Sequence, residues 1–123
     1  MNTSARIVLD CAAGLIAAGG LYDVFTPRLP ANLSAACDGH QRAVRVAREL
    51  LRALGGCLVA IGLAVAVLVN LPSFRDQRWT PELVLLLVLP SEGLNAVGMY
   101  RAGSPFQIPL GLIAITSIGV LLS

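Results

Sequence analysis

Charged and apolar positions alternate along this chain in long blocks. Ala53–Val69 is the cleanest apolar block, seventeen residues with no charge and no strong polar group. A bilayer's hydrocarbon core calls for a helix of roughly 20 such residues. Three further blocks follow the same rule. Together they predict an all-α integral membrane four-helix bundle in one domain, with spans at about 6–25, 50–71, 82–100 and 105–122.

The first span is interrupted only by Asp10, and Thr26-Pro27 ends it because the residue before proline is pushed out of helical geometry. Arg6 before an apolar run resembles a signal peptide, but Asp10 suits a signal sequence badly, so a retained helix is expected. Arg28 to His40, with Pro30, Asn32, Ser34 and Asp38-Gly39, reads as a linker of turns. The second helix is expected from Gln41 to Leu71. Its first turns, about 41–52, put Arg42, Arg45, Arg48, Glu49 and Arg52 on one third of the circumference, a basic amphipathic stem. Thr80-Pro81-Glu82 and Ser104-Pro105 read as cap-then-proline starts of the third and fourth helices. Pro90-Ser91-Glu92 is expected to interrupt the third.

Small residues recur four apart, at Gly14 and Ala18, Gly56 and Ala60, and Gly62 and Ala66. Such pairs let membrane helices approach closely.

Composition agrees with this picture. The chain is 56% hydrophobic and 13% charged, with a mean hydropathy of +0.77, whereas soluble domains carry about 25% charged residues. Net charge is +2 and the basic residues are scattered, which excludes a nucleic-acid footprint. Cys11, Cys37 and Cys57 are odd in number and form no CxxC, so neither a disulfide framework nor a zinc site is expected. No cofactor is called for. Arginine placement sets the expected orientation. Arg6, Arg75 and Arg78 fall on the N-terminal side, and Arg28, Arg42, Arg45, Arg48, Arg52 and Arg101 on the other. That bias makes the 26–49 segment cytoplasmic and both termini external, in what we expect to be a bacterial inner membrane.

Asp10, Arg52 and Glu92 are the ionisable residues inside the spans, each costing about 2.5–3.5 kcal/mol on insertion scales. Arg6 lies one turn before Asp10, at pairing distance. Glu92 is about 15 Å along its helix from Glu82. Chain direction brings Tyr22, Asp23, Glu49, Arg52, Glu92, Asn95 and Gln107 to one level, with His40 in the linker above. Two readings stay open: Arg52 and Glu92 neutralise each other, or they line a polar pocket.

Arg52-Ala53-Leu54-Gly55-Gly56, the following Ile61-Gly62-Leu63-Ala64, and a first span ending in Leu21-Tyr22-Asp23 resemble the DoxX-like group of small four-span membrane proteins over roughly the first 70 residues. That resemblance implies an accessory subunit associated with membrane redox partners and quinone-linked chemistry. It assigns no catalytic residue. Small multidrug transporters have a similar length but depend on a glutamate within the first span, which this chain lacks.

The function expected first is thus a non-catalytic subunit of a larger membrane complex, or a protein binding a quinone- or isoprenoid-like lipophile. The second is a membrane enzyme doing acid–base chemistry on an apolar substrate. There Glu92 or Asp23 would move the proton, Tyr22 and Asn95 would orient an oxygen, and Arg52 would stabilise negative charge. Glu49, Gln107 and His40 complete the candidate ligand set. The third is proton-coupled transport through Glu92.

Overall fold

The computed structural model describes residues 1–123. It is all-helical: α1 Thr3–Phe25, α2 Ala31–Ala36, α3 Gln41–Asn70, α4 Pro72–Arg75, α5 Thr80–Arg101 and α6 Gln107–Leu121. Three of these, α1, α3 and α5, are long and apolar enough to cross a membrane; α6 is a shorter apolar helix. Helices α1 and α5 begin and end close to where the apolar runs do, while α3 also includes the charged stem that precedes its apolar run. Asn2 caps α1, its side chain accepting the Ala5 N–H at 2.7 Å.

The helices pack in the spatial order α3, α1, α6, α5, and α3 touches α5 only lightly. Leu9, Ala13 and Ile16 of α1 meet Val65, Leu68 and Val69 of α3, Val84 and Val88 of α5 and Leu112 of α6 in the core. Neighbours run antiparallel. At the end carrying the N-terminus, Asn2 Nδ2 donates to the Leu122 carbonyl and Asn70 Nδ2 to Asp10 Oδ1, both at 2.6 Å.

Glycine governs the α1–α3 crossing. A Cβ on Gly20 would lie 2.5 Å from the Gly55 carbonyl oxygen, and one on Gly55 would lie 2.5 Å from that of Gly20. Further along, a Cβ on Gly62 would meet the Ala13 carbonyl at 2.7 Å. Of the small-residue pairs expected to mediate packing, only the one at Gly62 does so. Gly14, Ala18, Gly56 and Ala60 face outward. On helices apolar on nearly every side, spacing alone does not distinguish the packed face from the lipid face.

Local departures from expectation have local causes. The 28–40 linker contains α2, an alanine-bearing turn of helix that begins after Pro30 and ends before Asp38 and Gly39, both left-handed with φ of 46° and 71°. The 73–78 linker overlaps α4. Thr80 is the first residue of α5 rather than its cap, and its hydroxyl donates to the Phe74 carbonyl. Ser104 does not cap α6; its hydroxyl accepts a bond from Asn32. Helix α5 runs through Pro90 unbroken, so the expected interruption does not occur. Proline costs the helix one N–H bond there without ending it.

Aromatic side chains collect at both ends. Phe74 and Trp79 pair edge-on at 6.3 Å on one side, and Tyr100 and Phe106 at 5.4 Å on the other. Rings with one apolar and one wet edge favour membrane–water boundaries.

Asp10 finds its partner in Asn70 of the antiparallel neighbour, whose amide also donates to the Ala66 carbonyl; no ion pair joins it to Arg6. Asn70→Ala strips Asp10 of this bond and is expected to cost about 1–3 kcal/mol. Thermal unfolding in neutral detergent checks this, and an unchanged midpoint would show that water replaces the amide fully.

Candidate functional site

The light contact between α3 and α5 leaves a cleft of about 570 Å³ on the half of the molecule opposite the N-terminus. Ala47 to Ile61 of α3 form one wall and Ser91 to Ala102 of α5 the other. Leu33 of α2 and Asp23 of α1 complete it. Most of the lining is aliphatic, including Leu50, Leu54, Leu58, Ile61 and Leu94. Asp23, Ser91, Asn95 and Ser104 are its polar side chains.

Each polar group reaches the cleft for a traceable reason. Asp23 is on the last turn of α1, directly across the glycine crossing from Gly55. Ser91 and Asn95 are one turn apart and share the α5 face toward α3. Asn32 of α2 donates from Nδ2 to the Ala102 carbonyl at 2.9 Å and to Ser104 Oγ. That clamp holds α2, and with it Leu33, across the end of the cleft.

Glu92 is only 1% exposed, halfway along α5. Asn95 Nδ2 donates to its Oε2 at 3.4 Å, while Oε1 is buried with no hydrogen-bond partner. Asn95 therefore stands between a buried carboxyl and the open cleft. An unsatisfied buried acceptor costs about 1–3 kcal/mol, so this residue weakens the fold where it stands.

Other candidates lie elsewhere. Arg52 and Glu92 do not neutralise each other. Arg52 Nη1 binds Glu49 Oε1 at 2.9 Å on the exposed face of α3, where a partner one turn away on the same helix is closer than one across the bundle. Tyr22 is exposed, and so is Gln107, the first residue of α6. His40 lies at the exposed start of α3, with Nδ1 3.2 Å from the Asp38 carbonyl oxygen. It borders a shallow open groove with Cys37, Arg42 and Val46 that meets the cleft only at Ala47 and Leu50. The level expected to gather seven polar residues thus brings only Asp23 and Asn95 to the cleft, with Glu92 behind Asn95. Leu33, Ser91 and Ser104 are lining residues that the sequence did not mark. Ser91 had a signal, being one turn before Asn95; Leu33 had none, because it depends on α2.

No group of three or more His, Cys, Asp or Glu side chains could hold a metal ion. The cysteines are unpaired. No protein-family model matches the chain, and comparison with curated proteins and with solved structures gives no match, so the chemistry of the cleft rests on its own residues.

Proposed function

We propose that this chain is a four-span integral membrane protein of the DoxX-like kind that binds a lipophilic small molecule between α3 and α5 without transforming it, as an accessory subunit of a larger membrane complex. The cleft carries the proposal. Its size falls within the range of small-ligand pockets, and its composition matches them too, apolar walls with a few placed polar groups. The clamp from Asn32 pre-orders one end, which reduces what binding must spend on organisation. We place it in a bacterial inner membrane, and arginine placement favours residues 26–49 as cytoplasmic and both termini as outside.

One observation favours a second reading, acid–base chemistry on an apolar substrate. Glu92 holds an unpartnered carboxyl oxygen within the span, next to the Asn95 side chain that faces the cleft. A buried ionisable group beside a cavity is a natural candidate for proton transfer.

Filling the cleft tests the binding reading. Leu54→Trp and Leu94→Trp add bulk to opposite walls, and each is expected to lower occupancy by a co-purifying or added lipophile at least about tenfold. Native mass spectrometry from neutral detergent reads the occupancy. Leu63→Trp, on the outward face of α3, serves as the control. Equal occupancy in all three variants would remove the cleft as the binding site.

A further inference from the structure

The polar atoms facing the cleft are weighted toward acceptors. Asp23 offers a carboxylate and takes part in neither of the protein's ion pairs, which join Arg52 to Glu49 and Arg75 to Asp76. Asn95 spends one of its two Nδ2 protons on Glu92 and has an open acceptor in its carbonyl oxygen. Ser91 donates its hydroxyl proton to the Val88 carbonyl at 3.1 Å and keeps only lone pairs. Ser104 accepts from Asn32 and retains its own proton, at the far end of the cleft. No arginine or histidine lines the cavity. The nine arginines of the chain all lie outside this cleft, and Asp23 is its one lining carboxylate.

Position reinforces the point. Asp23 is level with Gly55, near the middle of the Ala47–Ile61 wall. Asn95 is near the middle of the facing Ser91–Ala102 wall. Both acceptors therefore come at mid-height, with aliphatic surface above and below.

From this charge complementarity we infer that the cleft takes a long-chain amphiphile with a cationic, hydrogen-bond-donating head, an alkylammonium. The ammonium offers three donors and a positive charge to Asp23, Asn95 and Ser91, and the alkyl chain runs along Leu54, Leu58 and Leu94. A ketone or quinone head, which only accepts, can use the remaining Asn95 and Ser104 protons but leaves Asp23 and Ser91 unmatched. A carboxylate head meets Asp23 as a like charge. The inference rests on the lipophile-binding reading and narrows it.

The test uses the full chain in neutral detergent and a diazirine-bearing octadecane as photoprobe. Labelling of the two cleft walls is mapped by peptide mass spectrometry and normalised to the outward positions Leu63 and Val67. Octadecylamine, octadecanol, octadecan-2-one and octadecanoate then compete with the probe. Octadecylamine is expected to displace it at a concentration about tenfold or more below that of the ketone, with octadecanoate weakest. Asp23→Asn is expected to reduce the amine to the level of the alcohol, and Asp23→Glu to restore its advantage. A ketone or carboxylate that competes as well as the amine overturns the inference while leaving the cleft as a lipophile site, and so does an amine advantage that survives Asp23→Asn. Absence of cleft labelling above the outward positions overturns the binding reading itself, and the inference with it. If Asp23→Asn does not fold, the order of the four competitors on the unaltered protein decides alone.

Discussion

Gly55→Ala is expected to destabilise the protein by about 1–3 kcal/mol, while Gly56→Ala, one residue on, is expected to stabilise it by about 0.5–1 kcal/mol. The two changes add the same methyl group to the same helix. At Gly55 the new Cβ arrives 2.5 Å from the Gly20 carbonyl oxygen and 2.9 Å from the Asp23 Cβ. Backbone cannot swing aside as a flexible side chain can, so α1 and α3 must separate along their shared length. At Gly56 nothing lies within 4 Å, and alanine contributes only its better helix propensity. The neighbouring pair repeats the contrast. Gly20→Ala meets the Gly55 carbonyl oxygen at 2.5 Å, and Gly19→Ala meets open space. Thermal unfolding in neutral detergent, followed by far-ultraviolet circular dichroism, should split the four variants two against two. Equal midpoints for Gly55→Ala and Gly56→Ala would mean that α1 and α3 do not cross at these glycines.

Glu92→Leu is expected to raise stability by about 1–3 kcal/mol. Such gains are unusual, since most substitutions in a core cost stability. Here the native side chain is the burden: its carboxyl is buried, one oxygen lacks a partner, and the other receives only a long 3.4 Å bond. Leucine removes the polar atoms while keeping most of the volume. The same substitution releases Asn95 Nδ2, so the cleft side chain loses its fixed orientation and the ammonium preference should weaken. Stability and recognition then move in opposite directions, as they do when a strained residue is kept for a site rather than for the fold. A lower unfolding midpoint for Glu92→Leu would show that the carboxyl contributes net stability where it stands.

Helix positions were largely readable in advance because long apolar runs bounded by Thr26-Pro27, Asn70 and Thr80-Pro81 leave few alternatives. Helix faces were not. Gly14 and Gly20 both sit among alanines and leucines on α1, yet one faces outward and the other carries the crossing. An amphipathic helix declares its buried side through polar residues on the other, and α1 has almost none. The stem of α3 is the exception, since its arginines gather on one face and Ala47, Leu50 and Leu51 line the cleft. Asp23, Glu92 and Asn95 stood out because polar groups are rare in these spans. Pairing among them was harder to foresee. Arg52 had Glu49 one turn before it on its own helix and Glu92 on another, and the local partner won. The end of the cleft depends on Asn32 reaching Ala102 and Ser104, a contact spanning about seventy residues that no local pattern encodes.

The helices differ in length in a way that bears on where such a protein settles. At 1.5 Å per residue, α3 is about 45 Å long and α6 about 22 Å, against a hydrocarbon thickness of about 30 Å. The extra length of α3 is its basic stem, since its apolar run Ala53–Val69 is only about 26 Å long, so on the four-span reading α6 is the flank that falls short of the bilayer core. Lipid beside α6 must compress or be replaced, at a cost of fractions of a kcal/mol for each ångström of mismatch. On that reading the short α6 would favour thinner membrane, and its flank would be the side on which a neighbouring protein relieves the most lipid strain.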